Sequence, residues 1–92
     1  MKFDKLDPSI RSWAKRKQIP FATQYQDVEV RSFEITGSAG RAQIWVDVEG
    51  NSTSVHVWDY RKRKQSFDVL SKVEVELDRA LEQARKWCGS HP

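Results

Sequence analysis

Residues 41–60 read RAQIWVDVEGNSTSVHVWDY, two runs of alternating character joined by a turn. In 41–48, Ala42, Ile44, Val46 and Val48 alternate with Arg41, Gln43, Trp45 and Asp47. In 53–60, Thr53, Val55 and Val57 alternate with Ser54, His56, Trp58 and Tyr60. Strict alternation marks a strand buried on one side only. Gly50-Asn51 separates the runs, and glycine in the first place is the preference of a type II′ two-residue hairpin turn. Such a turn sets Val46 opposite Val55, Ile44 opposite Val57, Trp45 opposite His56 and Gln43 opposite Trp58. Both faces are then homogeneous, one aliphatic and one aromatic and polar. A slip of one residue would mix them, so the register is strongly specified.

The flanking segments extend this hairpin into a sheet. Residues 28–36, VEVRSFEIT, read as a strand whose alternation breaks. Val28 and Val30 share one parity, Phe33 and Ile35 the other, and a bulge near Arg31-Ser32 would bring all four to one face. Pairing across the turn Gly37-Ser38-Ala39-Gly40 places Ile35 opposite Ala42 and Phe33 opposite Ile44. Downstream, the basic turn Arg61-Lys62-Arg63-Lys64 leads into 65–69, a fourth strand with Phe67 and Val69 inward. Pairing of Val57 with Phe67 would set Asp68 opposite His56, and a carboxylate there would favour the protonated imidazole.

Helices are expected at both ends. Ile10, Trp13 and Ala14 fall at helical spacing, with Asp7 as a capping acceptor, Pro8 at the first helical position, and Pro20 as the stop. Phe3 and Leu6 pack just before this helix. Residues 21–27 read as an extended connector, and its Phe21 and Tyr25 could fold across the aromatic face and cover it. In the last helix Val73, Leu77, Ala80, Leu81, Ala84 and Cys88 form an apolar stripe, with Trp87 at its edge and Gly89 as the C′ residue. Ser71-Lys72-Val73-Glu74 matches a capping box, and Leu70 with Val75 a hydrophobic staple. The expected fold is α+β: a single antiparallel sheet of three to four strands, with N- and C-terminal helices packed on one face. It forms two layers in a single domain, residues 1–92. Double-stranded-RNA-binding domains share a helix–strands–helix order. Their basic motif at the start of the last helix is absent, however, because that turn here is the acidic Val73-Glu74-Val75-Glu76-Leu77-Asp78.

Composition narrows the function classes. Lys and Arg number 16 against 13 Asp and Glu, a net charge of +3 that does not by itself demand a nucleic acid. Much of the basic charge sits in Lys15-Arg16-Lys17 and in 61–64. The first cluster complements a helix C-terminus, and the second is an ordinary solvated turn. Cys88 is the only cysteine, which fits a reducing compartment, and residues 1–20 carry charges throughout, without the apolar core of a secretory signal. A cytoplasmic protein is therefore expected, and no run approaches the ~20 apolar residues of a membrane span. His56, His91 and Cys88 lack metal-ligand spacing, so neither metal nor cofactor is expected. A Cys88–His56 pair would be separated by the sheet, and Gly37-Ser38-Ala39-Gly40 opens a strand, unlike a phosphate loop.

What remains is the aromatic face. The sequence predicts a non-enzymatic binding module that uses Arg41, Gln43, Trp45, His56, Trp58 and Tyr60 for protein contact, homodimerisation included. Arg61, Lys62, Arg63 and Lys64 form a basic rim. The competing expectation is a single-stranded or structured nucleic acid bound by the same face together with that rim.

Overall fold

The computed structural model describes residues 6–19 and 30–89. Its elements are α1 (Asp7–Lys17), β1 (Val30–Gly37), β2 (Gly40–Glu49), β3 (Ser52–Asp59), β4 (Lys64–Asp68) and α2 (Val73–Cys88). The strands form one antiparallel sheet in the order β1-β2-β3-β4. The expected hairpin register holds, with Ile44 opposite Val57, Val46 opposite Val55, Trp45 opposite His56 and Gln43 opposite Trp58. Glu49 pairs with Ser52, leaving a two-residue turn in which Gly50 takes a φ of 61° and Asn51 does not go positive. That combination is the type II′ geometry.

β1 corrects one expectation. Its ladder with β2 runs residue for residue from Val30 opposite Asp47 to Gly37 opposite Gly40, with no bulge at Arg31-Ser32. The tight Ser38-Ala39 turn fixes the register, and a bulge would leave a residue out of the ladder. Phe33 and Ile35 do pair with Ile44 and Ala42. Val30, however, takes the register of Ser32 and not of Phe33. Val28, Phe3 and the 21–27 connector lie outside the described residues.

α2 lies across all four strands and covers the aliphatic face. Val73, Leu77, Ala80, Leu81, Ala84 and Cys88 are buried there against Phe33, Ile35, Ala42, Ile44, Val46, Val55 and Val57, with Phe67, Val69 and Trp87 partly buried at the margin. α1 packs on α2, and its buried Trp13 reaches β1, where it meets Phe33 edge-on at 5.3 Å. A buried indole needs an acceptor, and Trp13 Nε1 donates to Asp78 Oδ1 on α2 at 2.7 Å. Lys17 stands 3.4 Å from the same carboxylate oxygen, and Arg16 pairs with Glu74 at 3.3 Å. Two of the three cations in 15–17 thus tie α1 to the acidic start of α2.

The helix starts also differ from expectation. α1 begins at Asp7 with Leu6 at the cap position and no side-chain capping bond. Asp7 therefore lies inside the first turn, where its charge still favours the helix N-terminus. α2 has Lys72 at its cap, again without a side-chain bond, so the Ser71 capping box does not form. Nor does the staple: Leu70 is 88% exposed and Val75 41% exposed. Burial of Val73 in the core sets the helix phase, and residues two apart on a helix do not share a face. Val75 consequently turns outward, and Glu76 is the buried neighbour, 3.5 Å from Arg79. At the other end Gly89 closes α2 with a φ of 73°. A Cβ there would sit 3.0 Å from Ser38 Oγ and 3.1 Å from Ala39 Cβ, so the β1–β2 turn adds a steric reason for glycine.

Leu77 is fully buried and Leu70 almost fully exposed. Leu77→Ala is expected to destabilise the protein by about 2–5 kcal/mol. Leu70→Ala should change stability by less than about 0.5 kcal/mol. Urea unfolding midpoints at constant slope check both.

Candidate functional site: the open sheet face

Pairing across the strands arranges the face away from α2 into rows. One row is Ser32, Trp45, His56 and Ser66; the next is Glu34, Gln43, Trp58 and Lys64. Beyond them Thr36 and Arg41 pair, with Tyr60 just past the end of β3. Trp45 stacks on His56 at 4.9 Å, and Trp58 leans on Tyr60 at 5.0 Å. The Arg41 guanidinium lies 4.6 Å from the Tyr60 ring centre and 3.3 Å from Glu34 Oε1, and the Lys64 ammonium lies 5.5 Å from the Trp45 ring centre. Arg41, Gln43, Trp45, His56, Trp58 and Tyr60 are therefore brought together on one surface. Tyr60 is 49% exposed, while Gln43, Trp45, His56 and Trp58 are partly exposed. Among the described residues no helix or strand lies across this face, since α1 packs on α2 and α2 on the opposite side. The cover expected from Phe21 and Tyr25 falls outside the described residues.

The fourth strand pairs two residues away from the expected register. Phe67 stands opposite Val55, Ser66 opposite His56, and Asp68 opposite Ser54. His56 Nδ1 and Ser66 Oγ are 2.6 Å apart. Partial burial lowers the His56 pKa, and the Lys64 charge lowers it further, outweighing the opposing charges of Asp47 and Asp68. The imidazole is therefore mainly neutral near pH 7, opposite to the protonated form expected from an adjacent carboxylate.

Asp59 explains the register, and sequence reasoning passed over it. It continues the core parity of Thr53, Val55 and Val57 and is only 3% exposed. Its Oδ1 accepts the backbone N–H groups of Arg61 and Arg63, each at 3.0 Å, and its Oδ2 accepts Arg63 Nε at 2.8 Å, with Nη2 also at 2.8 Å. The backbone N–H of Asp59 donates to the Arg63 carbonyl, and that of Lys62 to the Asp59 carbonyl, both at 3.0 Å. Tyr60, Arg61 and Lys62 thus form a three-residue hairpin loop, with Lys62 left-handed at a φ of 69°. Burial alone would raise the Asp59 pKa, but the bonds and charge from Arg63, with the Arg61 N–H, hold it below the ordinary carboxylate value. An acid at core parity directly before a basic turn was the available signal.

The same node consumes much of the basic rim. Arg63 also lies over Trp87 at 5.0 Å, and the Arg61 side chain donates to the Ala39 carbonyl. Ala39 in turn donates its N–H to the Cys88 carbonyl at 2.7 Å. Both turns at this end are thereby tied to the end of α2. Cys88 is buried on the helix side of the sheet, its thiol 3.7 Å from the Ile35 carbonyl, and burial, reinforced by Asp59, pushes its pKa up against the opposing Arg61 and Arg63 charges. His56 is on the other face, so the two do not form a catalytic pair.

A shallow hollow of about 260 Å³ between β4 and α2 is lined by Gln65, Phe67, Arg79, Glu82, Gln83 and Lys86, and contains no nucleophile beside a base. No group of three or more His, Cys, Asp or Glu among the described residues could hold a metal ion. Among the described residues no helix is long and apolar enough to cross a membrane. Compared with protein-family models, with curated proteins and with solved structures, the chain matches none.

Two outcomes follow from the charges. In an NMR titration the His56 midpoint should fall below the ordinary histidine value, and Lys64→Gln should raise it; an unchanged midpoint in that variant would remove Lys64 as a cause. Asp59→Asn should destabilise the protein at neutral pH. Because the folded-state pKa of Asp59 is depressed, its contribution is complete above the unfolded carboxylate range and lost as pH falls through the folded value. The wild-type and variant unfolding midpoints should therefore converge on acidification.

Proposed function

We propose that the protein is a small non-enzymatic binding module that meets another protein through its open sheet face. The observation that carries this reading is the gathering of Trp45, Trp58, Tyr60 and His56 on the sheet side opposite the helices. Tryptophan, tyrosine and arginine dominate the energetic centres of protein interfaces, because they combine large apolar area with a polar handle. Arg41 beside Tyr60 supplies the third of these types. A cytoplasmic setting suits the same reading, since the one cysteine is a buried free thiol.

Charge separates a protein partner from a nucleic acid. The open face carries Glu34, Asp47, Glu49 and Asp68 against Arg41 and Lys64. Phosphates would meet more carboxylates than cations there. In the rim, Arg61 and Arg63 are already engaged with Ala39, Asp59 and Trp87, which leaves Lys62 as its most available cation.

A photoreactive benzophenone side chain in place of Trp45 is expected to form protein adducts in cells, whereas one in place of the outward Glu82 should not. Trp45→Ala with Trp58→Ala should retain cooperative unfolding. If that double variant has no folded state, the two rings are core and the proposal fails. Oligonucleotide titrations at two salt concentrations should show no steep salt dependence; a steep slope would transfer the face to nucleic acid.

A further inference from the structure

We infer that the partner of the open face is a second copy of this chain, docked face to face with its strands antiparallel to those of the first. The inference rests on the protein-contact reading and adds the identity and orientation of the partner. Its basis is the polarity of the face along the strands. Glu49 and, in the next row, Asp47 and Asp68 occupy one end, with no cation among them. The Trp45–His56 and Gln43–Trp58 rows fill the middle, and the charges of Glu34 and Lys64 in the second row offset each other. Arg41, which also pairs with Glu34 of its own chain, stands at the other end, and the exposed Lys62 lies in the β3–β4 turn beyond it.

A surface acidic at one end, aromatic in the middle and basic at the other is self-complementary under one kind of twofold rotation. Consider an axis between the two sheets, perpendicular to the strands and passing between the Trp45 and Trp58 rows. It keeps each strand above its own copy and exchanges the rows in pairs. Asp47 then faces Arg41 of the second copy along β2, and Asp68 approaches the second copy's Lys62 at the β4 side. In the middle Trp45 faces Gln43 of the second copy, and Trp58 faces the second copy's His56. The mainly neutral imidazole adds no charge to that centre. An axis parallel to the strands would lay acidic end upon acidic end, and like charges in an interface disfavour that arrangement. Stacked sheets keep their strand directions within about 30° of each other, so the row correspondence holds along the central strands β2 and β3 and loosens toward the edges.

The available area suits a weak dimer. The open side holds sixteen strand positions, four from β1, five from β2, four from β3 and three from β4. With strands about 4.8 Å apart and rows about 6.7 Å apart they cover roughly 500 Å². Two copies would bury roughly 1,000 Å² in total, the size of a weak or transient interface. A dimer in the micromolar range is the scale to expect, its strength set by the aromatic centre more than by the area.

The test is sedimentation of the full chain over a concentration series, with wild type, Asp47→Arg, Arg41→Asp and an equimolar mixture of the two variants. Cooperative unfolding of each variant serves as the folding control. Wild type is expected to dimerise, and each charge reversal to weaken the dimer by about tenfold or more. The mixture should recover it as a heterodimer, because both cross-pairs are restored. Tighter association of Asp47→Arg alone would overturn the antiparallel orientation. A wild type that stays monomeric while the residue-45 crosslinker still captures other proteins overturns the second copy but leaves the protein-contact reading standing. A monomer with no protein adducts overturns both, and salt-dependent oligonucleotide binding by that monomer assigns the face to nucleic acid.

Discussion

The surface of this molecule depends on the pairing of β2 with β3 across Gly50-Asn51. That register puts Ile44, Val46, Val55 and Val57 under α2 and leaves Trp45, His56 and Trp58 on the far side. Fully burying a Val or Ile side chain stabilises by about 1.5–3 kcal/mol. These side chains together therefore carry a term comparable to the whole net stability of a small domain, about 5–15 kcal/mol. A one-residue slip would turn one strand over against the other, forfeit that strand's share and press its indole beneath a helix. The core thus decides what the open face displays, although no core side chain reaches it.

Core parity also continues one residue too far for an ordinary strand, and Asp59 is the consequence. A carboxylate at a buried position must find donors, and the turn that follows supplies them from Arg61 and Arg63. The β3–β4 register follows from this local closure. So does the use of positive charge, since guanidinium groups that look like a basic patch in the sequence are fastened to Asp59, Ala39 and Trp87. Lys17 and Arg16 are drawn to Asp78 and Glu74 in the same way. Much of the basic charge is thereby engaged within the molecule, and the sheet face itself is left with more carboxylates than bases.

The features legible in the sequence are those set by many side chains acting together. The hairpin register, the buried stripe of α2 and the membership of the aromatic face all follow from periodicity, because each position repeats the same argument. The illegible features turn on single, competing terms. A side-chain cap is worth about 1 kcal/mol, less than burying Val73, so the helix start shifted away from Ser71. A bulge at Arg31-Ser32 would have brought Val30 to the parity of Phe33, but the ladder runs intact through that point. The placement of Ser66 opposite His56, and with it the neutral imidazole, depends on how the Asp59 carboxylate closes a turn. No periodic pattern records that. The polarity of the face was hidden for the same reason, since it requires the β4 register.

The rings of the open face are not loose. Trp45 stacks on His56 with the Lys64 ammonium near its ring, and Trp58 rests on Tyr60, itself beneath the Arg41 guanidinium. Each contact costs the ring some freedom in the free protein, so less remains to be lost when a partner arrives. These contacts also keep the tryptophans partly shielded from water, which moderates the penalty of displaying them unbound. The sheet offers breadth without depth: a flat, pre-ordered platform with charge at its ends. A small molecule bound in a pocket would be enclosed over most of its surface. The described face offers no such enclosure by its own strands, and on the proposed reading its match is a surface of similar breadth.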